Sequence, residues 1–172
     1  MKCRLIRGSA SSVRSDSDDA EDRIASLRKC DIPVTLVINN PCDIDLIRAA
    51  SYSADSTLHA FVRVPDVEWA APYLAAAGRC GIRSAVTLYP IVRGAVSCAD
   101  VLEMVSALSV NYRQTFLFMF PKNTESDNAD DLTTYIRRFM SHVRLYMECT
   151  QHTFGICGTC CDLCAVQSGV EP

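Results

Sequence analysis

Five of the ten cysteines in this chain fall between Cys149 and Cys164. Cys157, Cys160, Cys161 and Cys164 make two C-x-x-C pairs set back to back, preceded by Cys149 and His152. Two thiolates at that spacing can converge on one metal ion, and zinc sites combine such pairs with histidine. One ion held by all four of the clustered cysteines would be strained, because the side chains of adjacent Cys160 and Cys161 tend to point apart. A more relaxed set is Cys157 and Cys160 with Cys149 or His152, leaving Cys161 or Cys164 over. The ferredoxin spacing C-x-x-C-x-x-C is not met, so zinc is favoured over an iron–sulfur cluster as the cofactor. A redox or disulfide pair, and thiols that share no task, stay open beside it.

A second set of chemically capable residues lies just after apolar runs. Asn39 and Asn40, Arg63, Tyr89 and Arg93, Lys122, and Glu148 each follow a stretch that reads as a strand. Arg63, Arg93 and Lys122 could hold a phosphate or carboxylate there, with Asn39 and Asn40 orienting its neighbouring hydroxyls and Tyr89 a further candidate for binding the ligand. Glu148 is the candidate acid or base, and a small anionic metabolite is the implied ligand. The competing reading is that these are ordinary polar loop residues and that the protein is an interaction module without catalysis.

The elements that must position these residues repeat. Apolar runs end at or near Pro41, Pro65, Pro90 and Pro121, and the prolines are 24, 25 and 31 residues apart, the period of a βα unit. Residues 34–38, 58–64, 84–89 and 116–120 are expected as strands, and 116–120, the most hydrophobic, as a central one. Helices are expected between them. One follows the acidic stretch from Asp16 to Asp22, which suits a helix start by complementing its dipole. A short one covers 43–50, a third covers 69–77 with Pro72 in its first turn, and a fourth follows Ser97, which forms a capping box with Asp100. Leu132, Tyr135, Ile136, Phe139, Met140 and Val143 recur at helical spacing, and residues 143–147 read as a further strand.

Strands and helices alternating in this way predict an α/β fold, with repeated βα units forming a mainly parallel sheet flanked by helices. Two arrangements fit: an open doubly wound sheet, favoured for five or six strands, and an incomplete TIM-barrel-like sheet. Both gather ligands at the carboxyl ends of the strands. The organisation expected is a mobile N-terminal segment over 1–17, an α/β domain over 18–148 and a Cys-rich tail over 149–172. Within the first segment, residues 2–7 could form a short strand.

Composition narrows the function classes. A net charge of -3 with no long basic run argues against a nucleic-acid partner. Neither a secretory signal nor an apolar run of membrane-spanning length is found, so no membrane partner is expected and the protein reads as soluble and cytoplasmic. G-x-G-x-x-G, G-x-x-x-x-G-K-[ST] and G-x-S-x-G are all missing, which removes the usual nucleotide fingerprints and the hydrolase elbow. The cysteines outside the tail, Cys3, Cys30, Cys42, Cys80 and Cys98, are expected to act as small hydrophobes.

Overall fold

Alternation of β-branched runs with amphipathic helices produces a six-stranded parallel sheet in a computed structural model that describes residues 12–110, 114–121 and 129–156. The strands are β1 (Ser12–Arg14), β2 (Thr35–Ile38), β3 (Thr57–Arg63), β4 (Arg83–Tyr89), β5 (Gln114–Phe118) and β6 (Thr153–Ile156). The helices are α1 (Ala20–Lys29), α2 (Asp45–Ala50), α3 (Ala71–Arg79), α4 (Cys98–Leu108) and α5 (Ala129–Thr150), with a 3-10 turn at Glu68–Ala70 leading into α3.

Every strand pairs with its neighbours in chain order, from β1 to β6, and every pair is parallel. A doubly wound sheet reverses strand order at its switch point, whereas successive right-handed crossovers without reversal put all helices on one face. The core follows the second pattern. Leu36, Ile38, Leu58, Val62, Val86, Leu88, Phe116 and Phe118 pack with Ile24, Ile47, Leu74, Val105, Phe139 and Val143 from the helices in one cluster. Val37, Phe61 and Leu117, with Tyr89 and Met119 against them, form a separate cluster made of residues from the strands and their ends. The sheet is therefore the incomplete, TIM-barrel-like alternative, open between β1 and β6.

Local signals hold at most of the expected elements. Ser97 Oγ accepts from the Asp100 amide at 3.1 Å, and Asp100 Oδ2 accepts from the Ser97 amide at 2.9 Å, so α4 begins with the expected capping box. Pro72 lies in the first turn of α3, and Gly81 (φ +74°) supplies the left-handed residue between α3 and β4. α1 carries Glu21 and Asp22 in its first turn and Arg28 and Lys29 in its last, while Ala20 and Ile24 face inward.

Four expectations are corrected. Residues 143–147 are not a strand: Phe139, Val143 and Met147 continue one buried helical stripe, and α5 runs on to Thr150. The sixth strand is instead Thr153–Ile156, inside the stretch expected to be the Cys-rich tail. β5 is second from the edge, and β3 and β4 are the central strands. Ser12–Arg14, in the stretch expected to be mobile, is edge strand β1, tied to its neighbour by Ser15 N donating to the Val37 oxygen at 2.9 Å. Residues 2–7 lie outside the described residues. Among the described residues no helix is long and apolar enough to cross a membrane.

Candidate functional site

Strand alternation sends every second side chain to the face that carries no helix among the described residues. Register aligns these residues in rows across the sheet. Arg14, Val37, His59, Ala85, Thr115 and Thr153 form one row, and Phe61, Thr87, Leu117 and Gly155 form the next toward the carboxyl ends. Arg63 and Tyr89 are partners in the row beyond, at the rim.

The floor of this face combines aromatic and polar groups. The His59 ring stacks on Phe61 with centroids 4.3 Å apart, and Phe61 meets Tyr89 edge-on at 6.4 Å. His59 Nε2 lies 2.8 Å from Thr87 Oγ1, and both residues are buried. Burial pushes the His59 pKa down to about 4, so the ring is neutral at pH 7. A neutral imidazole bonded to a hydroxyl can be buried without an uncompensated charge.

At the rim, Arg14 grips Asp16 through two hydrogen bonds, Nε to Oδ1 at 2.9 Å and Nη2 to Oδ2 at 2.7 Å. This pairing holds the Asp16 carboxyl below the usual carboxylate range, and a hydrogen bond from the Asn39 side chain acts in the same direction. Asn39, one residue beyond β2, stands at the level of Phe61. The following loop is clasped at Cys42, whose amide donates to Tyr73 Oη at 3.0 Å while that hydroxyl donates to the Cys42 carbonyl at 2.9 Å. The rim thus presents Asn39, exposed Arg63 and half-buried Tyr89 above an aromatic floor, an arrangement able to seat a flat or apolar body and bind its polar ends.

The residues expected from sequence divide sharply in position. Asn39, Arg63 and Tyr89 lie on adjacent strand ends, with Asn40 exposed next to Asn39. Arg93 lies exposed in the loop between β4 and α4, where its charge reaches the Tyr135 hydroxyl on α5. Glu148 is in the last turn of α5, which leads into the start of β6, so it lies at the amino-terminal end of the sheet, opposite Arg63. The acid–base role assigned to Glu148 depended on a strand at 143–147, and continuation of α5 removes that basis. Lys122, Cys157, Cys160, Cys161 and Cys164 lie outside the described residues.

Of the remaining members of the expected zinc set, Cys149 is exposed on α5 and His152 lies against the sheet, its ring edge-on to Phe116 at 5.4 Å. Burial lowers the His152 pKa, and its Nδ1 has no hydrogen-bond partner among the described residues. Among the described residues no group of three or more His, Cys, Asp or Glu is placed to hold a metal ion. The isolated cysteines behave largely as expected: Cys42, Cys80 and Cys98 pack against the main core, whereas Cys30 is exposed.

Sequence reasoning missed the His59–Thr87 pair and the Arg14–Asp16 clamp. A signal for the first was present, because His59, Phe61 and Arg63 alternate along one strand and must share a face. That Thr87 lies beside them follows from pairing between β3 and β4.

No protein-family model and no curated protein matches the sequence. In structure the chain is similar to SuiB of Streptococcus suis, with TM-score 0.64 and 13% identity over 92% of this chain and 41% of that one. The crystal structure of SuiB bound to S-adenosylmethionine gives TM-score 0.64 and 14% identity over 94% of this chain and 42% of the other. This chain spans less than half the length of SuiB, and a likeness at that identity is one of fold: a parallel α/β sheet with flanking helices.

Proposed function

We propose that the protein binds a small anionic molecule at the carboxyl-terminal rim of its helix-free sheet face. The observation that carries this reading is the register that sets Arg63 beside Tyr89, two residues beyond the Phe61 of the His59–Phe61 stack, with Asn39 one residue beyond the end of the neighbouring strand β2. Arg63 would engage a phosphate or carboxylate, Asn39 would bond an adjacent polar group, and Tyr89 would cover the ligand's apolar body. Ligands of open parallel sheets and of βα barrels gather at this end. S-adenosylmethionine in SuiB supports a small-molecule role for a similar fold; its net charge is positive, but it carries a carboxylate that Arg63 would engage, and inorganic phosphate serves beside it as the purely anionic probe. The reading is one of binding, and it assigns no residue as acid or base.

Calorimetric titration of the full chain with S-adenosylmethionine and, separately, with inorganic phosphate tests it. Saturable binding of either probe, weakened about tenfold by Arg63→Gln, is the expected result. Binding of neither, or binding indifferent to Arg63→Gln, would reject the rim as an anion site.

A further inference from the structure

A second cleft opens on the other side of the sheet, in the helix layer, between α5 and the loop that joins β4 to α4. Its volume is about 320 Å³, within the range of small-ligand sites, and its lining includes Gly94, Cys98, Tyr135, Arg138, Phe139 and His142. Phe139 and the half-buried Cys98 give it an apolar wall. The first turn of α4 does not define the site, because Ser97 and Asp100 already bond each other's amides there.

The cleft combines three further features. Arg138 and Arg93 are exposed, and neither has an ion-pair partner among the described residues. The Tyr135 hydroxyl is shielded from solvent without a hydrogen-bond partner among the described residues; burial raises its pKa, Cys98 adds to that rise, and the charge of Arg93 opposes it. His142 Nδ1 lies 2.8 Å from the Arg138 carbonyl oxygen, which can only accept, so Nδ1 carries a proton and Nε2 is the remaining ring nitrogen. Unpaired guanidinium groups beside an apolar wall suit a ligand that is negative at one end and apolar at the other.

We propose that this cleft is a binding site, separate from the rim, for a small organic anion whose apolar body lies against Phe139 and Cys98 and whose carboxylate or phosphate meets Arg138. Arg93, next to the lining residue Gly94 and near enough for its charge to act on the Tyr135 hydroxyl, supplies a second positive charge, and Tyr135 a hydroxyl that can donate. A compact ring bearing one charged group matches the volume.

Titrations of the full chain with phenylacetate, phenyl phosphate and neutral phenylacetamide test the proposal by NMR. At least one of the two anions is expected to bind saturably, with phenylacetamide about tenfold weaker, and the tighter of the anions identifies the preferred head group. Followed at the resonances of the cleft residues, Arg138→Gln should weaken the anion about tenfold, while Arg63→Gln at the rim leaves binding at those resonances unchanged. Circular dichroism of Arg138→Gln checks that the fold is retained, and Cys98→Phe, which fills the cleft, should block the same anion. Failure of both anions to bind, equal binding of the amide, or insensitivity to Arg138→Gln would overturn the site. Loss of the shifts at the cleft residues in Arg63→Gln would also overturn it, by moving the ligand to the rim.

Discussion

The two faces of the sheet are made from alternate residues of the same strands. Toward the helices, register brings together Ile38, Ala60, Val86, Phe116 and Phe154, and then Val62, Leu88 and Phe118. Toward the helix-free side it brings together Val37, His59, Ala85 and Thr115, and then Phe61, Thr87 and Leu117. The first set is apolar because it must exclude water beneath a layer of helices. The second holds polar groups that bond one another, as His59 does with Thr87. What differs is how each face is stabilised, by close packing of large apolar groups on one side and by paired polar groups among aromatic rings on the other.

The largest expected effect tests the helix-facing side. Phe139 is buried, edge-on to Phe118 at 5.6 Å and to Phe120 at 5.3 Å. Phe139→Ala should cost roughly 3 to 5 kcal/mol in chemical denaturation, whereas Arg138→Ala, its exposed neighbour, should change stability by no more than about 0.5 kcal/mol. A larger effect at Arg138 would mean that α5 is rotated and that the apolar face is not where the contacts place it.

Acid sharpens the contrast, because its effect belongs to the helix-free side. His59 has an ordinary pKa of 6.5 in the unfolded chain and about 4 when folded. The unfolded state therefore takes up the proton first. Stability is unaffected by this residue above pH 6.5, falls as pH drops from 6.5 toward 4, and levels off below that, for a total loss of roughly 3 kcal/mol. Denaturant midpoints measured across this window in wild type and in His59→Phe should diverge, with the variant lacking that part of the acid dependence. Parallel curves would show that His59 is not buried as a neutral group.

A smaller effect is expected at a position belonging to neither face. Ser97→Ala removes the α4 cap and should cost about 1 kcal/mol in the same denaturation assay, independent of pH between 5 and 8. A cost as large as that of Phe139→Ala would mean that the cap, rather than core packing, governs docking of α4.

The sequence by itself determined the local elements. Runs of β-branched residues, the Ser97 cap, Pro72 and the stripe from Tyr135 to Val143 reveal strands and helices because each signal lies within a few residues of chain. It also placed Asn39, Arg63 and Tyr89 at strand ends, where the structure pairs Arg63 with Tyr89 and puts Asn39 one residue beyond β2. Strand order, and with it the choice between a doubly wound and an incomplete barrel sheet, was decided only by tertiary pairing. The same holds for β1 and β6, three and four residues long, which carry too little pattern to be read alone and exist through their bonds to β2 and β5. Tertiary structure also separated Glu148 from Arg63 and joined His59 to Thr87. Such relations depend on register between segments tens of residues apart, and periodicity along one segment contains no information about which neighbour it will meet.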